Sequence, residues 1–161
     1  MYKLVLIMLM IVVWMYIHAL QVDEEIAMGA LFQGKHAVNR AAHAAAQQVD
    51  VRALADGRLH IDERAAALAA GEYLQANLQL DASGEPLPDA FLRERVEVLV
   101  FEVINDDRSF PYQYRNAAHN YEVTLERPGV VMIVNVIYPR IFSVIKPIVW
   151  QIKGAAELVA S

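Results

Sequence analysis

The side chains best suited to chemistry in this 161-residue chain are few and scattered. His36 and His43 stand seven residues apart, which would put both imidazoles on one helix face near a metal ion. No third ligand follows at a useful spacing, and two solvated histidines are the simpler reading. Asp106-Asp107 offers two adjacent carboxylates to a cation. It lacks the further spaced acids of a calcium loop and reads as a solvated turn. Glu122 and Glu126 fall on the wet face of a strand, not as an acid/base pair. There is no glycine-rich phosphate loop, no HExxH and no GxSxG. Cysteine is absent, which excludes disulfides, thiolate metal sites and cysteine nucleophiles. The inventory leads to a non-enzymatic protein with no catalytic residue, no cofactor, no metal and no small-molecule substrate. Phe110, Tyr112 and Tyr114, in a polar stretch at 106–119, are a possible contact patch of the head or plain loop packing.

Composition points elsewhere than catalysis. Hydrophobic residues make up 57% of the chain and charged residues only 20%, which argues against disorder. The net charge is −5 with no block of lysine and arginine, so nucleic acid is not an expected partner. The apolar excess has two sources, a near-continuous run at 4–17 and a set of 24 alanines.

The apolar run extends to 4–20 if His18 is admitted, within the roughly 17–25 residues that cross a bilayer as a helix. The shorter count also fits the core of a secretory signal. A cut after Ala19 would leave Ile17 at the −3 position, a poor signal-peptidase site, and retention as an anchor is the expectation. Leu4, Leu9, Val13, Trp14, Tyr16 and Ile17 would face lipid, with Trp14 and Tyr16 near an aromatic belt. His18 reads as an interfacial residue. Lys3 before the run and Asp23-Glu24-Glu25 after it predict the N-terminus in the cytoplasm and the body outside. The division is a transmembrane anchor at 1–21 and an extracytoplasmic α+β domain at 22–161.

From Gln21 to about Ala55 no proline intervenes, and the pattern predicts one long helix continuing out of the membrane. Its stripe is small: Ala30, Gly34, Ala37, Ala41 and Ala45, with Gly29 and Ala42. It suits close packing inside the chain or between copies of it. Asp56-Gly57 marks a turn, and a second alanine-rich helix is expected at 62–79 with Asp62 as N-cap. A loop follows at 81–88, then a short helical turn from Pro88. Beyond it the period becomes two. Residues 95–105 read as a strand with Val96, Val98 and Val100 on one side. Residues 121–126 and 130–138 read as a hairpin through a type II turn at Arg127-Pro128-Gly129. A last strand runs through Trp150 and Ile152 to Leu158, with Gly154 as a candidate bulge. The expected fold is α+β: two helices after the anchor and an antiparallel sheet of three to four strands, its apolar face laid on the alanine stripe.

Three stretches carry a resemblance to the TadE/TadG-like proteins of tight-adherence (Flp) pilus systems. They are the anchor running into Gly34-Lys-His-Ala-Val-Asn-Arg-Ala-Ala-His-Ala-Ala-Ala-Gln-Gln-Val49, the helix with Ala65-Ala66-Ala67 ending near Asn77, and the closing pattern. That pattern is Tyr138-Pro139-Arg140-Ile141-Phe142 followed by Gly154-Ala155-Ala156-Glu157-Leu158-Val159. Unlike pilin-type members, the apolar segment holds no glutamate. The resemblance implies a pilin-like, membrane-anchored structural or assembly component of a surface pilus. Its partners would be the membrane and other pilus or assembly subunits, with copies of itself among the candidates, met through the small stripe. A membrane-tethered scaffold or sensor and a cleaved, secreted binding protein are the alternatives.

Overall fold

A computed structural model describes residues 2–138 and 147–159 and shows the α+β class. The elements are α1 (Tyr2–Ala46), α2 (Val51–Ala55), α3 (Glu63–Leu78), β1 (Glu97–Ile104), β2 (Tyr112–Asn116), β3 (Tyr121–Leu125), β4 (Gly129–Tyr138) and β5 (Ile148–Glu157). Strands β1, β4 and β5 form an antiparallel sheet in the order β1-β4-β5, while β2 and β3 pair separately. The expected strand sequence 139–142 lies outside the described residues.

Helix α1 is unbroken for 45 residues but stops at Ala46, short of the expected end near Ala55. Asp50 supplies the reason. Its carboxylate accepts from the Arg52 and Ala53 amides at 2.8 and 3.3 Å, capping a new short helix, α2. A capping aspartate competes with continuation of the helix that precedes it. Asp62 caps α3 as expected, accepting from the Ala65 amide at 2.9 Å. The loop after α3 is held by Asp81, whose Oδ1 accepts from the amides of Ser83 and Glu85. The helical turn expected at Pro88 is a bare turn, closed by Ala90 N–H donating to Leu87 O at 2.9 Å.

The sheet departs from expectation in three places. First, β3 and β4 do not pair. The β3 partner is β2, and β4 lies between β1 and β5. Pro128-Gly129 is thus a crossing between sheets, and Gly129 does not take the positive φ of a type II turn. Glycine is needed there for another reason: a Cβ on Gly129 would stand 2.6 Å from Ala156 O on β5. Second, β1 shifts register between Val98 and Val100. Val98 pairs with Val134 and Val100 with Ile133, which point to opposite faces, so the three valines do not share a side. Third, β5 pairs with β4 without a shift from Gly129↔Glu157 to Tyr138↔Ile148, and Gly154 is not a bulge. Its Cβ would meet Val38 Cγ1 at 3.0 Å and Asn39 Oδ1 at 3.1 Å, so the glycine lets helix and strand touch.

The core forms where α1 is clasped between α3 and the sheet. Ala37, Val38, Ala41, Ala42, Ala45 and Ala46 pack with Ala66, Ala70, Leu74 and Leu78 of α3. On the other side they meet Val130, Met132, Val134, Val136, Ile152 and Ala156 of β4 and β5. A second, smaller core joins Ile104 and Val131 to Tyr114 and Leu125, fastening the β2-β3 ribbon to the outer face of the sheet.

Two glycine substitutions should separate close packing from local propensity. Gly129→Ala pushes a methyl into a strand backbone and should cost about 1–3 kcal/mol. Gly71→Ala, inside α3 with nothing within 4 Å of the added methyl, should gain up to about 1 kcal/mol. Denaturant midpoints read both, and equal effects would contradict the described register.

Candidate functional site

The part of α1 that precedes the head stands free of it. An 18-residue window of the helix has mean hydropathy 2.2 and none of its surface buried in the protein, so the chain holds one helix long and apolar enough to cross a membrane. Leu4, Leu9, Val13, Trp14, Tyr16 and Ile17 are all at least half exposed. Trp14 and His18, one turn apart, meet edge to face with ring centroids 4.3 Å apart.

Farther along α1 the small stripe turns inward. Ala30 is 6% exposed and Ala37, Ala41 and Ala45 at most 1%. Gly34 is buried too, and a Cβ on it would stand 2.6 Å from Ile152 Cδ1. The chain's own β5, β4 and α3 already cover this surface, so it is a packing seam of the folded chain. Ala30, Gly34, Ala37, Ala41, Ala42 and Ala45 are thus not a face on which another copy can dock, whereas Gly29, also in the stripe, stays exposed with nothing within 4 Å of an added Cβ. The apolar residues that α1 presents outward are different ones: Val22, Ile26, Met28 and Phe32, each 45% exposed or more. Val22 and Ile26 share the helical spacing of Ala30, Ala37, Ala41 and Ala45 yet stay exposed, while Met28 and Phe32 fall off that spacing.

The head's three candidate contact aromatics part company. Tyr114 lies in β2, 4% exposed, inside the second core, so it is not a contact residue. Alternation in a polar stretch had hidden the strand. Burial raises the Tyr114 hydroxyl pKa, partly offset by a hydrogen bond with Asn116. Phe110 and Tyr112 are partly exposed at the rim of the same core. The Arg108 guanidinium lies 5.7 Å from the Tyr112 ring centroid.

Among the described residues no group of three or more His, Cys, Asp or Glu side chains could hold a metal. His36 and His43 are exposed on α1. A groove of about 600 Å³ lies between α3, the loop at 80–84 and β1, but its charged lining residues, Glu94, Arg95 and Glu97, are exposed.

Asp106 does more than make a solvated turn. Its Oδ1 lies 2.6 Å from His60 Nδ1, and its Oδ2 accepts from Arg58 at 3.2 Å. The hydrogen bond to His60 is the main reason that the carboxyl sits below its ordinary value of 3.8, with burial opposing and Arg58 helping. Beside it, buried Asn105 copies a strand pairing: its Oδ1 accepts from Ile61 N–H at 2.7 Å and its Nδ2 donates to Ile61 O at 3.1 Å. Together they latch the α2–α3 connection to the end of β1. Asp107 has an exposed partner, Arg108, at 3.4 Å.

At the opposite end of the sheet, Tyr138 stacks on Trp150, centroids 5.7 Å apart at 23°. They enclose a third cluster with Ala27 and Ala30 of α1 and with Ile148 and Phe91. Burial first, and the charge of Asp23 second, raise the Tyr138 hydroxyl pKa. Asp23 itself is 1% exposed.

Tyr114→Ala should cost about 3–5 kcal/mol, as large aromatic truncations in cores do, and Tyr112→Ala clearly less. Comparable losses in urea denaturation would refute the assignment of Tyr114 to the core. Asp106 should also shape the acid limb of stability. A carboxyl whose folded pKa is depressed stabilises above its unfolded value, and that contribution disappears as pH falls through the folded one. The stability gap between the native chain and Asp106→Asn should therefore narrow below about pH 4. A gap independent of pH would mean that the latch is not electrostatic.

Compared with protein-family models, with curated proteins and with solved structures, the chain shows no significant match.

Proposed function

We propose that the chain is a non-enzymatic, single-pass membrane protein. Its extracytoplasmic head would serve as a structural or assembly component of a bacterial surface pilus of the TadE/TadG-like kind. One observation carries the reading. The helix whose residues 4–20 are almost all apolar, with none of them buried, is the same unbroken helix that forms the spine of the head's core. A cleavable signal has no need of such continuity, because cutting within it would remove nothing that the head uses. Here the membrane-length segment and the folded head are one rigid element. Lys3 on one side and Glu24 and Glu25 on the other favour the N-terminus in the cytoplasm and the head outside.

Since the small stripe is already covered, contacts with other subunits, including copies of the chain, fall to the outward face of α1. Val22, Ile26, Met28 and Phe32 lie there. Phe110 and Tyr112 at the rim of the β2-β3 ribbon are a second, smaller contact surface. Nucleic acid and small-molecule substrates have no place in this reading.

Fractionation of the producing cell, with N-terminal sequencing of the recovered protein, tests it. The full anchor should be retained in membranes or recovered in sheared surface filaments, and deletion of the gene should abolish those filaments. Retention in washed membranes with filaments unaffected would favour a tethered scaffold. A soluble form lacking residues 1–19 would overturn the anchor.

A further inference from the structure

The head's height above the bilayer follows from its own packing. Strand β5 climbs alongside α1 in step with it. Trp150 and Ile148 pack by Ala27, Ile152 meets Gly34, and Gly154 meets Val38. The start of β5 and the end of β4, which pair as Tyr138↔Ile148, therefore stand level with Ala27. At a rise of 1.5 Å per residue, Ala27 is about 10 Å above Leu20 along the helix. The polar layer of a bilayer is about 5–7 Å deep on each side, and an ordinary tilt of about 20° brings one flank of the head several ångströms closer. A tilt toward this flank brings the lower end of the sheet to the outer edge of the lipid headgroups.

The chemistry of that end suits such a neighbour. Trp150, half-buried and stacked on Tyr138, which is 4% exposed, is the ring presented there, and tryptophan concentrates at membrane–water interfaces. Pro147 is exposed, Ile148 half-buried and Met28 49% exposed. Glu24 and Glu25, also exposed, lie about 6–8 Å above Leu20, at the depth where the ammonium groups of zwitterionic lipids offer a counter-charge.

We infer that the end of the head bearing Tyr138, Ile148 and Trp150 rests on the outer leaflet, with the phospholipid headgroup layer as its partner. This rests on the anchor reading above. It makes the bilayer a second support for the head, beyond the tether that α1 supplies.

The chain has no cysteine, so single-cysteine variants give unambiguous labels. Full-length protein would be placed at one copy per nanodisc of phosphatidylethanolamine and phosphatidylglycerol, which excludes coverage by a second copy. A nitroxide would be attached at Val13→Cys, Pro147→Cys or Thr124→Cys, and its collisions with oxygen and with a water-soluble nickel chelate compared. Position 13 reports the anchor, 147 the lower end of the head, and 124, exposed on the β2-β3 ribbon, is the solvent reference. The nickel chelate should reach 147 several-fold less than 124, with oxygen access retained. If 13 is shielded and 147 is as open to nickel as 124, the inference fails and the anchor stands. If 13 is itself open to nickel, the anchor reading fails and takes the inference with it.

Discussion

The architecture depends on how closely a helix can approach a strand. At Gly34 a methyl group would overlap Cδ1 at the tip of Ile152, and at Gly154 it would press tightly on Val38 Cγ1 and Asn39 Oδ1. The alanines between and beyond them have almost no exposed surface. This seam lets α1 lie flat on β4 and β5 while α3 closes its other flank, giving one core around one helix. Side chains that small contribute little apolar area each. The stabilisation comes from the large side chains opposite, such as Met132, Ile152, Leu74 and Leu78, which reach the helix backbone because nothing large stands in the way. Composition that looks like a weak core is a strong one with the bulk on one side.

Much of this was legible in the sequence. The long helix, the capped second helix, the loop after it and the change to strand periodicity are local signals, and they fall where local rules place them. Apart from the early end of α1, set by the local Asp50 cap, what failed depended on partners distant in the chain. Arg127-Pro128-Gly129 between two alternating segments reads as a hairpin, yet β3 belongs with β2, and β4 runs between β1 and β5. Pro and Gly report that the chain bends and say nothing of which strand receives it. Glycine at 129 and at 154 proved to mark close approach of backbone or helix, not a special φ or a bulge. The strand at Tyr112–Asn116 was hidden because only Tyr114 of it is deeply buried.

The polar groups divide by position in a similar way. Asp62 caps the helix that begins beside it, as its spacing foretells, while Asp50 caps α2 where one continuous helix was expected. Asn105 and Asp106 reach back more than forty residues to Ile61, His60 and Arg58, and no spacing rule reveals such a pairing. Buried Asn105 satisfies a backbone amide and carbonyl that would otherwise be stranded where the α2–α3 connection meets β1. The small stripe showed the same ambiguity on a larger scale: periodicity identifies a face made for close contact, and only the fold shows that the chain has used it for itself.

The unbroken course of α1 from Tyr2 to Ala46 also fixes an angle. Each residue turns a helix by about 100°, so the azimuth of the head about the axis of α1 is locked to that of the apolar N-terminal segment. A single residue added between the two would swing the whole sheet by more than a quarter turn without altering one contact inside the head. The direction in which each flank of the head faces, relative to the apolar segment, is thus encoded by residue count along the spine.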